Sequence, residues 1–422
     1  MGPIKASVQL DTLGRDCYER QEGLYLYNDC VSVPPLMMID DLASFSVCGP
    51  QSIITNAIIN AKIECKKLEF GPRKCFNMHI GSSKSDCQDL RVHSTIMNTS
   101  EFETYLGDVI CVSGTNKRNI ENRRNCAVGS VSQIVSMLDK ITLGHYYFEI
   151  GLVLRDSMLV SKLVSSSEIW YNVSKEQLRK LEEVDEMYFM RLFQAPKSVP
   201  RLSLYIECAK LPVRFVCQAR RLLYYWHILH LSENELVYKF YSAQLLKPGR
   251  NDWVIQIAKD KKELNLKFDD EEIRSMSRDK FKGIILKKIN ELAAKYFQEI
   301  QSRQQKTKQL KINDKFTPAA YLFSSKLSKD EIRTLFKLRS ATIDVKGNMS
   351  SSFKDRMWCR TCYLFSESQE HLLQCGEIRN NLKNVDFSSV KYEMIYRSLK
   401  NQENIAKVYH LILQARKDIL NN

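Results

Sequence analysis

The sequence predicts an α+β protein that is mostly helical. Three observations lead there. Only 15 Gly and 10 Pro occur in 422 residues, so long helices can run with few tight turns. Strand-like alternation and short apolar runs are confined to the N-terminal quarter or so of the chain. Beyond it, apolar side chains recur at helical spacing. Hydrophobic residues make up 44% and aromatics 10%, which supports packed cores and excludes a wholly disordered or fibrous chain. The length suits two or three domains.

Leu24 to Val33 alternates and is rich in Tyr and Val, until Pro34-Pro35 breaks it. Leu36-Met37-Met38-Ile39, Asp40-Asp41 and Leu42 to Val47 read as strand, tight acidic turn and strand. Gly49-Pro50 opens a helix, with Pro where its missing N–H costs little. Ile54, Ala57, Ile58, Ala61, Cys65 and Leu68 mark its apolar face, and Gly71-Pro72 ends it. Cys75 to Ile80 reads as a strand closed by Gly81. Tyr105-Leu106-Gly107 and Val109 to Val112 form an expected hairpin that Gly114 terminates.

From about Asn116 helical periodicity takes over. Tyr146 to Trp170 reads as one long, mostly apolar helix. Ser174 with Gln177, Ser232 with Glu235 and Ser328 with Glu331 have the spacing of capping boxes. Pro212 opens a helix carrying Arg220, Arg221 and the Tyr224-Tyr225-Trp226 run. Ser277 to Lys315 reads as a charged helix fading into a basic arm, and Gly347 to Ser352 as a polar turn.

The chain carries 63 Lys+Arg against 49 Asp+Glu, a net charge of +14. That balance points to a polyanionic partner, nucleic acid above all. No run of 18 apolar residues occurs, so no membrane span is expected. MGPIKASVQL has neither the pattern of a signal peptide nor, with Pro3 and Ala6, that of a myristoylation site. Thirteen cysteines, scattered apart from one cluster, fit a reduced intracellular chain in the nucleus or cytoplasm, not a secreted one.

Three constellations carry chemistry. The sharpest is Cys359-x-x-Cys362 followed by His371-x-x-x-Cys375. Two cysteines two apart form a knuckle, and a His and a Cys four apart share a helical face. Three sulfurs and a nitrogen suit tetrahedral zinc in a closed, structural site. The second is Asp40-Asp41 between two apolar runs. Adjacent carboxylates at a turn call for a cation, and magnesium is the usual one. The third is aromatic and basic interleaving: Tyr146-Tyr147-Phe148, Arg220-Arg221 and Tyr224-Tyr225-Trp226. Most of these aromatics suit a core. The Arg pair, with Arg303, Lys306, Lys308 and Lys311, is the candidate set for phosphate contacts.

Met38-Ile39-Asp40-Asp41 between strands resembles the catalytic turn of reverse transcriptases. The segment from the Pro50 helix through Lys67-Leu68-Glu69-Phe70-Gly71-Pro72 to Ile80-Gly81 is similar to the palm helix and strand that follow that turn in non-LTR, LINE-type retrotransposon polymerases. Tyr105-Leu106-Gly107 resembles their primer-grip hairpin, and the Cys/Cys/His/Cys cluster resembles theirs. Gly2-Pro3 looks like the tail of the motif before the turn. The resemblance implies a partial palm over residues 1–115, a helical thumb and connecting region over 116–316, and a zinc-bound helical module over 317–422. It implies that Asp40 and Asp41 hold magnesium for RNA-directed DNA synthesis and that Tyr105, Leu106 and Gly107 position the primer. RNA and DNA, as a template–primer duplex, would be the partners, with an upstream polymerase fragment as a further candidate and no membrane.

The resemblance does not take in the family's fingers or its earlier metal-binding Asp. The expectation is therefore a polymerase fragment that binds nucleic acid without synthesising DNA alone. The alternatives are a non-catalytic zinc-containing nucleic-acid-binding protein derived from a mobile element, or a plain helical scaffold.

Overall fold

The computed structural model describes residues 24–26, 31–33, 36–38, 41–43, 49–65, 71, 74–79, 89–92, 94–249, 252–307, 310, 317–348 and 358–421. Helix dominates these residues. The strands are β1 (Leu24–Leu26), β2 (Val31–Val33), β3 (Leu36–Met38), β4 (Asp41–Ala43), β5 (Phe76–Asn77), β6 (Arg91–Val92), β7 (Thr95–Ile96), β8 (Asn98–Thr99), β9 (Phe102–Tyr105) and β10 (Asp108–Cys111). The longer helices are α1 (Gly49–Cys65), α2 (Lys117–Leu138), α3 (Gly144–Leu154), α4 (Lys175–Phe193), α5 (Arg201–Cys208), α6 (Val213–Leu229), α7 (Leu236–Leu246), α8 (Trp253–Glu263), α9 (Asp270–Arg274), α10 (Arg278–Arg303), α11 (Lys329–Arg339), α12 (Gln369–Gln374), α13 (Gly376–Asn381) and α14 (Leu399–Asn421). The chain divides into two compact units, each built from separated stretches. One is Met1–Asn122, Ser166–Gln177 and Arg220–Lys282; the other is Arg123–Ser165, Leu178–Ala219 and Gly283–Asn422.

In the first unit every ladder among the described residues is two-stranded. β1 and β2 pair antiparallel with Leu24 opposite Val33, so the run read as one strand is a hairpin. The overlooked signal is Asn28-Asp29 at its centre, residue types that favour turns. β3 and β4 pair antiparallel with Met38 opposite Asp41, as the strand–turn–strand reading expects. Ile39 and Asp40 lie outside the described residues. β9 and β10 pair with Tyr105 opposite Asp108. Leu106 and Gly107 between them both have positive φ, 49° and 84°. That is a two-residue turn of the kind whose twist matches paired strands.

The Asp108 carboxylate accepts from Asn119 Nδ2 at 2.8 Å and from the Ser166 hydroxyl. Arg221 and Asp260 form a bidentate, buried pair at 2.7 and 3.1 Å. The Asp270 carboxylate takes the hydroxyls of Tyr225 and Tyr241.

In the second unit, α3 packs so closely that a Cβ on Gly144 would lie 2.7 Å from the backbone of Leu327, Ser328 and Lys329. α3 continues as a π-helical stretch, Arg155–Val160, and ends with Ser161–Leu163. The single helix expected to Trp170 thus stops early. Ser166 takes a left-handed φ of 59°, which ends the helix, and its hydroxyl donates to Asp108. Phe148, Phe193 and Phe336 stack in series, with ring centroids 5.2 and 3.9 Å apart.

Two of the three expected capping boxes form. The Ser174 and Ser328 backbone N–H groups donate to Gln177 and Glu331, whose own N–H groups donate back to the hydroxyls. The Ser232 box does not. Glu235 is the N-cap of α7, and the Ser232 hydroxyl instead takes the Asn234 N–H, closing a turn before the helix. α10 ends at Arg303, followed by a short 3-10 turn at Gln305–Thr307, so the helix stops before the basic run. Residues 311–316 lie outside the described residues.

Gly144→Ala should destabilise the fold by about 1–3 kcal/mol, because backbone cannot yield to a methyl group as a flexible side chain can. Gly129 lies in α2 with nothing within 4 Å of the place an added methyl would occupy, so Gly129→Ala should raise stability by about 0.5–1 kcal/mol. Thermal and urea melts of the two variants should move in opposite directions.

Candidate metal centre

The four ligands predicted from spacing converge. The donor atoms of Cys359, Cys362, His371 and Cys375 all lie within 4.8 Å of one another. Cys359 Sγ is 4.0 Å from Cys375 Sγ, and Cys362 Sγ is 3.4 Å from His371 Nε2. Tetrahedral zinc with ordinary bond lengths would put sulfurs about 3.8 Å apart and a sulfur about 3.6 Å from a nitrogen. The donor set and its spacing therefore fit zinc, and four protein ligands leave no open position for a substrate.

Local structure places each ligand. Trp358 and Ser366 bridge antiparallel, and the Cys359 N–H donates to the Phe365 carbonyl at 2.7 Å. The Tyr363 N–H donates to the Cys359 carbonyl at 2.9 Å, and Tyr363 adopts a left-handed φ of 57°. The result is a tight knuckle with both cysteines on one side. Ser368 caps α12, its hydroxyl accepting the His371 N–H at 3.0 Å. Cys375 sits at the junction of α12 and α13, so one helical turn separates it from His371.

The surroundings favour thiolates. Thr361 Oγ1 lies 2.9 Å from Cys359 Sγ and 3.2 Å from Cys375 Sγ, where its single proton can be donated to either. Burial pushes the Cys359 thiol up, but hydrogen bonds from Thr361 and the Cys362 N–H bring it below the ordinary range. Burial leaves the Cys375 thiol raised and the His371 imidazole lowered, so His371 favours the neutral, ligating form.

A charged clasp holds the knuckle from behind. The Glu367 side chain is fully buried and accepts from Arg360 Nε at 3.2 and 3.1 Å and from Arg416 Nη2 at 2.8 Å. It also takes the backbone N–H groups of Lys346 and Arg360. Arg360 and Arg416 both reach the Asp344 carbonyl as well. Burial opposes the Glu367 charge, but these donors hold its carboxyl below the usual range. Nothing in the spacing of the four ligands announces Glu367; its place five residues after the second Cys is the only sequence trace.

The other predicted site residues are dispersed. Asp40 lies outside the described residues, and of Asp41 only the backbone in β4 is described. Tyr105 is half-buried at the end of β9, while Leu106 and Gly107 are exposed at the hairpin tip. Arg221 is buried and pairs through Nε and Nη2 with Asp260. Arg220 is partly exposed but paired to Glu168 at 2.9 Å. Arg303 is exposed and paired along α10 to Glu299 at 2.6 Å. Lys306 is half-buried and donates to the Asn348 carbonyl at 3.1 Å. Lys308 and Lys311 lie outside the described residues.

Sequence reasoning missed the exposed large apolar side chains on the knuckle, three of them aromatic. Trp358, Tyr363, Leu364 and Phe365 are 57%, 72%, 68% and 62% exposed, around a centre whose ligands are buried or half-buried. The available signal was their position: Trp358 precedes the first Cys, and Tyr363 and Phe365, with Leu364 between them, follow the second.

Purified protein should carry one zinc per chain by elemental analysis, and Cys359→Ser with Cys375→Ser should abolish it. Glu367→Gln should destabilise the zinc-loaded protein by about 3–5 kcal/mol, because it leaves Arg360 and Arg416 facing a neutral amide. A melt of the loaded variant reads this; an unchanged midpoint would deny the clasp its role. No known protein family and no curated protein matches this chain, so these four ligands and their clasp are the firmest ground for its function.

Proposed function

We propose that this chain binds nucleic acid through a zinc-held knuckle, and that it represents the C-terminal part of a LINE-type reverse transcriptase. The carrying observation is the exposure of Trp358, Tyr363 and Phe365 on a backbone that four metal ligands and Glu367 hold in place. Flat π faces on a rigid support are what unpaired bases stack on. Phe365 keeps its position by leaning on His371, with ring centroids 5.5 Å apart. The net charge of +14 supplies the general attraction to phosphates.

The finer reading rests on the order of motifs in the sequence. In it, Asp40 and Asp41 hold magnesium and the tip at Tyr105, Leu106 and Gly107 meets the primer. Phosphoryl transfer on two metals requires both ions to be positioned together, and the resemblance takes in neither the family's earlier Asp nor its fingers. The chain alone is therefore a binder and not a polymerase. Primer extension on a primed RNA template with magnesium should give no product. Extension that vanishes in the Asp40→Ala, Asp41→Ala double variant would refute this.

Binding to a labelled single-stranded RNA, followed by fluorescence anisotropy, tests the broader reading. Affinity should fall with salt, with a log–log slope of about −0.7 per phosphate neutralised. Trp358→Ala combined with Tyr363→Ala should weaken binding at least about tenfold, since stacking is worth about 1–3 kcal/mol per base. Zinc content should be unchanged. Equal affinity of variant and parent would reject the knuckle as the binding face.

A further inference from the structure

The second unit contains two adjoining clefts that share Gln194 and Ala195, the residues just past the end of α4. The larger, about 530 Å³, is walled by Tyr147, Met187 and Met190 and carries Arg191, Lys197 and Arg333. The smaller, about 330 Å³, is lined by Lys337, Pro196, Thr342 and Leu413, among others. Gln194 has a left-handed φ of 48°, and the Ala195 N–H donates back to the Met190 carbonyl at 2.8 Å. That closure fixes the ridge between the clefts.

Four cations thus line the pair of clefts, against two carboxylates. One of these, Asp344, is already taken by Arg360 at 3.2 Å, leaving Asp139. Arg333 and Lys337 stand one turn apart on α11, on the same face. Arg333 is held rigidly: its Nε donates to the Leu192 carbonyl at 3.2 Å and its Nη2 to the Tyr147 hydroxyl at 2.9 Å. Among the described residues its one carboxylate partner is Asp330, at 3.0 Å. Lys337 is half-buried and has no carboxylate partner among the described residues. For two neighbouring cations beside a cavity the described residues supply one ion pair, that of Arg333 with the mostly exposed Asp330. Such a site is left with uncompensated positive charge, which an oxyanion would neutralise.

We propose that these clefts bind a phosphate-bearing ligand that lies across the Gln194–Ala195 ridge, with its phosphate beside Arg191 and Lys197 and its apolar part against Met187 and Met190 in the larger cleft, and with Lys337 facing it from the smaller one. Burial and the neighbouring Arg333 both hold the Lys337 amine below the ordinary lysine range, so it is also a reactive nucleophile when the site is empty. The phosphate could belong to a nucleotide within a bound strand or to a free nucleotide. The site does not depend on the knuckle: the aromatic face could fail its test while this one stands.

Pyridoxal 5′-phosphate is a direct probe, because it carries both a phosphate and an aldehyde. The Lys337 amine adds to the aldehyde and loses water to give an imine, which borohydride reduces to a stable secondary amine. Peptide mapping of the full-length, zinc-loaded protein then locates the label. Lys337 should be labelled at least about tenfold more than by pyridoxal, which lacks the phosphate, as one charge-assisted phosphate contact predicts. Lys197→Gln, at an exposed position that leaves folding intact, should reduce that excess. Protection by a single-stranded oligonucleotide but not by a nucleoside triphosphate would assign the phosphate to a strand; the reverse would assign it to a free nucleotide. Equal labelling by pyridoxal, no label at Lys337, or protection by neither competitor would overturn the proposal.

Discussion

The second unit is organised by a row of buried acids on α4. Glu182, Asp185 and Glu186 are nearly fully buried in the middle of a helix whose other inward residues are apolar. A buried carboxylate is tolerated only when paired and hydrogen-bonded. Each of these is met by arginine from a different place. Arg214 of α6 grips Glu182 at 2.6 Å through two nitrogens, and Arg155 grips Asp185 at 2.8 and 2.6 Å. Arg179 of α4 itself and Arg201 of α5 close on Glu186. Apolar packing alone would let helices slide and rotate past one another. Forked guanidinium pairs do not, since they fix distance and angle together. The register of α3, α5 and α6 against α4 follows from these pairs.

The same device recurs at small scale in the metal module. Glu367 does for the knuckle what the acids of α4 do for the helices. Metal ligands fix where the sulfurs converge, and Glu367 fixes the backbone that carries them. Division of labour of this kind is general in metal sites, where outer partners orient the ligands. Here it has a further effect, because the outward side of the knuckle is released from any packing duty and can carry large aromatics in the open.

What could be read from the sequence follows the range of the interactions. The four candidate metal ligands were legible because spacing alone specifies them. The capping boxes at Ser174 and Ser328 were legible because each is closed within three residues. The box at Ser232 has the same spelling and does not form, since the local turn engages the Ser hydroxyl first. The role of Arg221 was not legible: its partner Asp260 lies 39 residues away, and only the fold brings a core cation and a core anion together. Glu367 was hidden for the same reason, because Arg416 is 49 residues distant. The hairpin at Leu24 to Val33 was obscured by alternation, which one strand and two short paired strands share.

The π-helical stretch Arg155–Val160 makes chain length, rather than composition, the sensitive variable in α3. A π turn holds one residue more than an α turn. Every side chain after it is therefore offset by about 100° from where an unbroken α-helix would aim it. Within the wider turn Arg155 faces Asp185 while Leu159 and Val160 are buried, and Leu163 just after it is buried too. A chain shorter by one residue here would retain every favourable amino acid and still present half of the helix to the wrong neighbours. The segment is thus intolerant of a change that no substitution matrix would register, and tolerant of many that it would.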